Sequence, residues 1–239
     1  MNRKDFLKGL GIAGVTIALP ALKGCSKDDD IISSDTNNND TNCTVTNSET
    51  AGPFPTITPS GLVRTNIVGD RTGIPLSITI TIQNTNNSCN PLADAIVDIW
   101  HCDKDGNYSQ YGGTTMQSSD YTNNTFLRGR QTTNTNGVVA FTSIFPGWYT
   151  SRATHIHVHI YNSAGSSLLV TQIAFPEGSN SAVEQVNSAS NYGYTKGMSG
   201  YTYNASDNVF SDGVTNEMAS ITGSISSGFE LTHTIKVAG

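Results

Sequence analysis

Three histidines alternate along a short segment rich in β-branched residues, at His155, His157 and His159. On a β-strand, side chains two residues apart point to the same face and lie roughly 7 Å apart along it. Two imidazoles in that arrangement can bind one metal ion, with nitrogen–metal distances of about 2.0–2.1 Å. Because the whole chain has only five histidines, three of them within five residues favour a metal site. The alternation leaves two ligand pairs open, His155 with His157 and His157 with His159.

Two other residues of the segment 146–159 could take part in the same chemistry, namely Tyr149 and Arg152. A phenolate is a hard anionic ligand, which favours a trivalent ion such as Fe(III). Because a free tyrosine ionises only near pH 10, a tyrosine ligand at neutral pH requires a strong cation beside it. Two phenolates and one hydroxide would neutralise the charge of Fe(III), and a neutral centre can be buried with a small penalty in free energy.

The composition is typical of an exported, loop-rich β protein. Charged residues make up 13% of the 239 residues, which is about half the usual share. The net charge of −6 and the pI of about 5.2 argue against nucleic-acid binding, because no basic stripe is present to displace counterions. Nucleic acid is therefore not an expected partner.

Residues 1–25 have the pattern of a lipoprotein signal peptide. Its basic start is formed by Arg3, Lys4 and Lys8, and an apolar stretch too short to span a bilayer follows. The segment ends in Leu-Lys-Gly-Cys, which is similar to a bacterial lipobox and makes Cys25 the predicted lipidation site. We therefore expect export, and attachment to the bacterial cell envelope through a lipid at Cys25, on its periplasmic or cell-surface face.

Residues 26–48 are mostly polar and lack an apolar period, so they are predicted to form a disordered tether. Three cysteines follow Cys25, at Cys43, Cys89 and Cys102. In an oxidising compartment we expect one disulfide and one free thiol among them. Cys89 and Cys102 flank a predicted strand, so they lie near its opposite ends and pair poorly. A disulfide from Cys43 to either of them would attach the tether to the domain.

From residue 49 onward, short β-rich runs alternate with turn residues. The predicted strands are 77–83, 95–101, 138–141, 154–161, 168–175 and 230–237. No window of twelve residues has a convincing helical period, although 181–190 could form a short helix. Residues 49–239 are therefore predicted to form one all-β domain, a single antiparallel β-sandwich with long loops. The segment 176–212 is too long for a simple connector and is expected to cover one end of the sandwich.

An ordered set of motifs in this domain resembles the intradiol ring-cleaving dioxygenases, the family of catechol and protocatechuate dioxygenases. The motifs are Ala51-Gly52-Pro53-Phe54, Asp98-Ile99-Trp100-His101, Gly106-Asn107-Tyr108-Ser109, Leu127-Arg128-Gly129-Arg130, Pro146-Gly147-Trp148-Tyr149 and Arg152-Ala153-Thr154-His155-Ile156-His157. Each one could arise by chance, but their order along the chain is specific.

The resemblance implies a non-haem Fe(III) centre. Its ligands would be Tyr108, Tyr149, His155 and His157, and the substrate would displace Tyr149 on binding. Arg152 and Gln172 would stabilise the negative charge that develops on the ring. Residues Gly52, Pro53 and Trp100 would line the substrate pocket. The implied reaction uses O₂ to cleave a catecholic ring between its two hydroxyl-bearing carbons, with both oxygen atoms entering the product.

Departures from the family pattern leave the substrate and the oligomeric state open. Ser151 stands where protocatechuate enzymes carry a tryptophan, and Ala51 stands where the family usually has a glutamate. Two other functions agree with parts of the sequence. A His-x-His strand is also a common zinc pattern, which suggests a zinc-dependent hydrolase, although no carboxylate ligand stands at a usable spacing. A non-catalytic binding module on a surface lipoprotein is the other alternative.

Overall fold

The structure is a computed structural model that describes residues 43–239. The predicted signal peptide with its lipidation site Cys25, and residues 26–42 of the predicted tether, lie outside the described residues. No helix within 43–239 has the length and apolarity needed to cross a bilayer.

Nine strands within the described residues form two sheets. They are β1 (Pro75–Asn84), β2 (Asn90–Pro91), β3 (Ile96–Trp100), β4 (Arg128–Thr132), β5 (Val138–Ile144), β6 (His155–Tyr161), β7 (Ser167–Ala174), β8 (Ser220–Ser224) and β9 (Gly228–Val237). One sheet has the order β2-β1-β9-β8, with β5 also paired to β1, and the other has the order β4-β3-β6-β7. The predicted all-β sandwich is confirmed, and one pairing, β1 with β9, is parallel rather than antiparallel.

Strand β1 shows why such segments form a sandwich. Its buried side chains alternate with more exposed serine and threonine, and the buried ones are Leu76, Ile78, Ile80 and Ile82, each at most 1% exposed. Burying a side chain of this size stabilises the fold by about 1.5–3 kcal/mol. The opposite sheet contributes Ile99 and Val158, among others, to the same core. The two-residue period of apolar side chains thus places one face of each sheet in a shared core.

Strand β6 is buried on both faces, unlike β1. Ile156, Val158 and Ile160 enter the shared core, whereas His155 and His157 project to the other face of the sheet and are still only 3% exposed. Among residues 43–239 no second sheet packs against that face, and long loops cover it instead. The candidate site lies beneath those loops.

Three strands were not predicted, β2, β4 and β8. Strand β4 has the sequence Arg-Gly-Arg-Gln-Thr and β8 the sequence Ser-Ile-Thr-Gly-Ser, so neither shows an apolar alternation. Each is recognisable as a strand only through its hydrogen-bonded neighbour. The helix expected within 181–190 is confirmed as α1 (Ala182–Asn187), whose first turn is capped by the Ser181 side chain.

Residues 43–48, the last part of the predicted tether, lie against the sandwich. Cys43 is bonded to Cys89, and Cys102 is a buried free thiol. The backbone N–H of Thr46 donates to the carbonyl oxygen of Lys236 at 2.9 Å, and Thr46 is 3% exposed. Residues 43–48 therefore do not behave as the expected disordered tether, because the disulfide and the contact with β9 fix them. Their composition indicates only that they are polar.

Candidate metal centre

A row of buried side chains crosses the four-stranded sheet at one level. The strand register aligns Arg128 on β4, Trp100 on β3, His157 on β6 and Gln172 on β7. Residues directly opposite each other on neighbouring strands project to the same face of a sheet. All four are at most 3% exposed. The backbone hydrogen bonds between the strands therefore fix the Cα positions of these four residues relative to one another.

Three possible metal-binding atoms converge above this row. The hydroxyl oxygen of Tyr108 lies 3.2 Å from Nε2 of His155, and that nitrogen lies 3.1 Å from Nε2 of His157. The three side chains are only 2–3% exposed. The structure therefore brings together three of the four predicted ligands, and of the two possible histidine pairs it selects His155 with His157.

The hydrogen bond of His155 fixes its tautomer. Its Nδ1 lies 2.6 Å from the carbonyl oxygen of Ala153. A carbonyl oxygen can only accept, so Nδ1 carries the proton and Nε2 directs its lone pair towards Tyr108 and His157. Metal-binding histidines commonly donate their second nitrogen to a backbone carbonyl in this way.

His157 is oriented by stacking instead of by a hydrogen bond to its Nδ1. Its ring lies parallel to that of Trp100, with centroids 4.8 Å apart and an interplanar angle of 2°. Its Nδ1 is buried without a hydrogen-bond partner in the described part of the chain. A buried imidazole that lacks such a partner is costly unless its other nitrogen gains a strong interaction, which a metal ion would provide.

Burial keeps all three of these groups neutral in the protein alone. Loss of solvent, aided by the charge of Arg152, lowers the pKa of His155 to about 3. The same loss, aided by His155, lowers the pKa of His157 well below its ordinary value. Burial also raises the pKa of the Tyr108 hydroxyl. Neutral imidazoles are the form that binds metal, and a bound cation would favour loss of the tyrosine proton. These residues therefore fit a metal ion.

The fourth predicted ligand, Tyr149, lies in the same cavity, but its hydroxyl points elsewhere. That hydroxyl donates to the carbonyl oxygen of Met116 at 2.8 Å. The half-buried ring packs edge-on against Phe54, with centroids 5.4 Å apart, and lies 6.1 Å from the ring of Tyr108. The structure thus places Tyr149 in the cavity wall, and its hydroxyl is not grouped with the other three donors.

Arg152 and Gln172 form a connected chain of hydrogen bonds beside the histidines. Nε of Arg152 donates to both carboxylate oxygens of Asp207 at 2.8 and 2.9 Å, and its Nη2 donates to Oε1 of Gln172 at 2.6 Å. Nε2 of Gln172 in turn donates to the carbonyl oxygen of Thr50 at 2.8 Å. Asp207 was not among the predicted site residues. The only sequence signal for it is its place in the segment 176–212, which was expected to cover the sandwich.

Arg128 links two segments that enclose the centre. Its guanidinium is fully buried and donates to the Ser109 hydroxyl and to the carbonyl oxygen of Phe54, both at 2.9 Å. Phe54 stacks on Tyr108, with ring centroids 4.9 Å apart. Burial lowers the pKa of Arg128 to about 10, so it stays charged at neutral pH. One cation thus fixes both the loop that carries Tyr108 and the aromatic ring that covers it.

These groups enclose a cavity of about 270 Å³. It is lined by Thr50, Gly52, Pro53, Phe54, Tyr108, Met116, Tyr149, Thr150, Ser151, Arg152, His155, His157, Asn208 and Val209. Arg152 is the one charged side chain among these described lining residues, and none of them is a carboxylate. The cavity therefore lacks the carboxylate base or third ligand that a zinc hydrolase of this type would use.

The three predicted pocket residues have different positions. Gly52 and Pro53 line the cavity. Gly52 has a φ of +67°, and a Cβ atom there would lie 3.1 Å from Cε1 of His157, so glycine allows the chain to approach the imidazole. The structure places Trp100 behind His157, and Trp100 is not among the described residues that line the cavity. Its place on β3, directly opposite His157, makes it a support for that ring.

Two other features do not belong to this centre. His159 bonds instead to the hydroxyls of Ser167 and Tyr161, each at 2.8 Å. A larger groove of about 710 Å³ is lined mainly by threonines such as Thr79 and Thr232. It is open to solvent and has no group of converging donors comparable to the one around His155.

Comparisons with known proteins agree with this geometry. A family model described as "Dioxygenase" matches residues 54–198. The chain is similar to the structure of an intradiol ring-cleavage dioxygenase from Tetranychus urticae, with 30% identity and a TM-score of 0.70. That match covers 82% of this chain and 95% of the other.

Two further comparisons involve Rhodococcus opacus. The structure of a 3-chlorocatechol 1,2-dioxygenase from strain 1CP has a TM-score of 0.54 at 20% identity, over 81% of this chain and 72% of that one, which shows a shared fold. A curated chlorocatechol 1,2-dioxygenase is 29% identical over 157 residues. That match covers 54% of this chain and 56% of the relative, so it spans about half the length of the curated protein.

Proposed function

This chain belongs to the family of intradiol ring-cleaving dioxygenases, and on that premise we propose that it opens a catecholic ring between its two hydroxyl-bearing carbons. O₂ is the co-substrate, and both of its atoms enter the product. The observation that carries the proposal is the convergence of Tyr108, His155 and His157 in one buried cavity. A non-catalytic binding module would have no need to bury these three donors together.

The proposed cofactor is a non-haem Fe(III) ion. Tyr108, His155 and His157 would hold it, with Tyr149 in the cavity wall as the proposed fourth ligand. Phenolate oxygen is a hard donor, and its presence favours Fe(III) over Zn²⁺. When bound, the ion supplies a Lewis acid that withdraws electron density from a chelating catecholate and makes its ring reactive towards O₂.

The surrounding residues prepare the cavity for charge that develops on the ring. The guanidinium of Arg152 lies at the cavity wall and is held in place by Asp207 and Gln172. A cation that is already oriented stabilises a developing negative charge without having to reorganise. Phe54 covers Tyr108, and Trp100 lies behind His157, so these two rings are shielded on the sides that do not face the cavity.

The preferred substrate is proposed to be a small catechol without an ionised ring substituent. A volume of about 270 Å³ is slightly smaller than that of most ligand pockets, which start at about 300 Å³. Arg152, the only cation among the described lining residues, is paired with Asp207 and is assigned to the charge that develops on the reacting ring, so it does not serve a ring carboxylate. A ring carboxylate would therefore be desolvated without a partner, which typically costs enough to lower kcat/KM by about tenfold or more.

The experiment is a visible absorption spectrum and metal analysis of the purified protein after incubation with iron. We expect a red-brown band, near-stoichiometric iron and a spectral shift when catechol is added. Ring opening is followed by the absorbance of the product, with 3,4-dihydroxybenzoate as the carboxylated comparison. A colourless protein that holds zinc, or that takes up no metal, would contradict the proposal.

We also propose that the protein is exported and attached to the cell envelope through Cys25. The signal-like pattern of residues 1–25 supports this, and the Cys43–Cys89 disulfide is typical of proteins in an oxidising compartment. Cys25→Ala is expected to move the protein from the membrane fraction to the soluble fraction. An unchanged distribution would count against the anchor.

A further inference from the structure

Three carboxylates from separate parts of the chain meet beside strand β7. One carboxylate oxygen from each of Glu49, Asp212 and Glu217 lies within 4.8 Å of the other two. Glu49 pairs through its backbone with Val170 on β7, and the carbonyl oxygen of Glu217 accepts from the backbone N–H of Ala174 on the same strand. No ion pair within residues 43–239 joins any of the three carboxylates to a basic side chain.

Glu217 gives an independent indication that a ligand binds here. The residue is 0% exposed, and its Oε1 accepts a hydrogen bond from the Thr171 hydroxyl at 3.1 Å. Its Oε2 is buried and has no hydrogen-bond partner among the described residues. The backbone N–H of Gln172 favours the charged form of Glu217 and lowers its pKa, but it forms no hydrogen bond with Oε2. A buried carboxylate oxygen without a proton donor or a cation is strongly disfavoured.

The cluster also lacks a counter-charge of its own. Burial, followed by the charge of Glu49, raises the pKa of Glu217 to about 8. Burial, followed by the charge of Asp212, raises the pKa of Glu49 to about 6. Arg152 lowers the pKa of Glu49, but its guanidinium is bonded to both oxygens of Asp207. The three carboxylates therefore repel one another, and a positive ligand would relieve that repulsion.

We propose that Glu49, Asp212 and Glu217 bind a Ca²⁺ ion. Calcium prefers carboxylate and other oxygen ligands at about 2.3–2.6 Å, so two ligands on opposite sides of one ion lie at most about 5 Å apart. The observed limit of 4.8 Å is within that range. Magnesium requires a stricter octahedron and gives up its waters reluctantly, so it is usually held by only one or two carboxylates, and three carboxylates favour calcium. Water would complete the six to eight oxygens that calcium takes.

Such an ion would join two segments that wall the dioxygenase cavity. Glu49 directly precedes Thr50, whose carbonyl oxygen accepts from Gln172, and the chain continues to Gly52 beside His157. Asp212 lies five residues after Asp207, which holds Arg152. The ion would therefore stabilise both walls without contacting the substrate. This role goes beyond the proposed function, and its test does not depend on turnover.

The test is thermal unfolding of the full-length purified protein, freed of loosely bound divalent ions, as CaCl₂ is added to millimolar concentration. We expect the Tm to rise by about 3–6 °C and to saturate. Glu217→Gln and Asp212→Asn are each expected to remove the rise. Glu230→Gln changes an exposed carboxylate on β9 and should retain it.

Calorimetric titration with CaCl₂ provides a second readout, with one site expected in the original protein and none in the two cluster variants. The proposal is overturned if calcium leaves the Tm unchanged, if Asp212→Asn retains the full rise, or if MgCl₂ acts and CaCl₂ does not. Because Asp212 is exposed, its variant stays informative even if Glu217→Gln does not fold. A protein that binds calcium but not iron would refute the proposed function alone.

Discussion

His155 and His157 stand two residues apart on one strand, yet they are held by different interactions. The carbonyl oxygen of Ala153 fixes His155, whereas His157 depends on the parallel ring of Trp100. Its position also depends on Gly52, which approaches the imidazole from the cavity side. Replacing His157 therefore removes a donor atom and also uncovers the face of Trp100 on which its imidazole stacks.

His157→Ala is expected to abolish iron binding and the visible band, because it removes one of three converging donor atoms. The matched control is His159→Ala, which removes an imidazole from the same strand at a half-buried position outside the cavity. Iron content and the absorption spectrum are the measurements. Equal loss of iron in both variants would show that damage to strand β6, and not loss of the His157 donor atom, prevents iron binding.

Asp207→Asn is expected to lower both stability and turnover. The carboxylate is 2% exposed and accepts from Arg152 and from the backbone N–H of Ala153. Breaking a buried pair by changing one partner costs about 3 kcal/mol and leaves the guanidinium free to move. Urea unfolding and kcat/KM measure the two effects.

The control for this change is Asp94→Asn, at an exposed turn with a φ of +58°, which asparagine tolerates as well as aspartate does. It should leave both quantities nearly unchanged. If Asp207→Asn were equally harmless, Arg152 would be positioned by other contacts.

The donors could be predicted from the sequence because two of them are neighbours on one strand and the motif around Tyr108 is specific. Asp207 could not, because its partner Arg152 is 55 residues away and only the folded loop brings them together. The burial of Glu217 was equally hidden, since nothing in its local sequence distinguishes it from a surface glutamate. The orientation of the Tyr149 hydroxyl depends on the carbonyl of Met116, which no spacing rule indicates.

At the level of strands, prediction succeeded where apolar residues alternate and failed where that alternation is missing. Strand β1 has the alternation and was predicted close to its observed bounds. Strand β4 has none, because its buried Arg128 is satisfied by oxygen atoms from Ser109 and Phe54. These acceptors belong to loops that are distant in sequence, so their contribution appears only in the folded chain.

The Cys43–Cys89 disulfide attaches the first described residues to the turn between β1 and β2. Its sequence separation is 46 residues, and a cross-link of that size is expected to contribute at most about 4 kcal/mol by restricting the unfolded chain. Cys43→Ser should therefore lower the free energy of unfolding by about 2–4 kcal/mol while leaving the visible spectrum of the iron-loaded protein unchanged. Urea unfolding provides the measurement.

The double variant Cys43→Ser with Cys89→Ser is its control. If the two cysteines act only through their bond, the double variant should be about as stable as either single variant. Additive losses would instead assign the effect to the separate side chains.

At the scale of the whole molecule, buried histidines dominate the expected response to acid. Burial lowers the pKa of His155 to about 3, lowers those of His101 and His233 to about 4, and lowers that of His157 well below its ordinary value. In the unfolded chain each would have a pKa of about 6.5. Below that pH the unfolded state binds more protons than the folded state, so stability falls as the pH falls.

The metal-free protein is therefore expected to lose stability between pH 6.5 and pH 5. Each buried neutral histidine contributes a loss of about 1.6 kcal/mol over this range. Glu217 and Glu49 act in the opposite direction, because their pKa values are raised to about 8 and about 6, and their stabilising effect is present at low pH and is lost as the pH rises through those values. With four histidines against these two carboxyl groups, we expect a net fall on the order of 3 kcal/mol. Urea unfolding at the two pH values measures it, and a rise would contradict the assignment of neutral buried histidines.

The parallel pairing of β1 with β9 has a consequence for how the chain acquires its structure. Strand β9 occupies the interior of its sheet, between β1 and β8, and Leu76 pairs with Phe229 across 153 residues of sequence. Pairings so distant along the chain close late and slow the search for the native state. During synthesis, β1 would leave the ribosome long before its partner exists, with one edge open to association. Productive maturation of this sheet is therefore expected to await translation of Gly228–Val237, and until then the open edge of β1 is the main risk for aggregation.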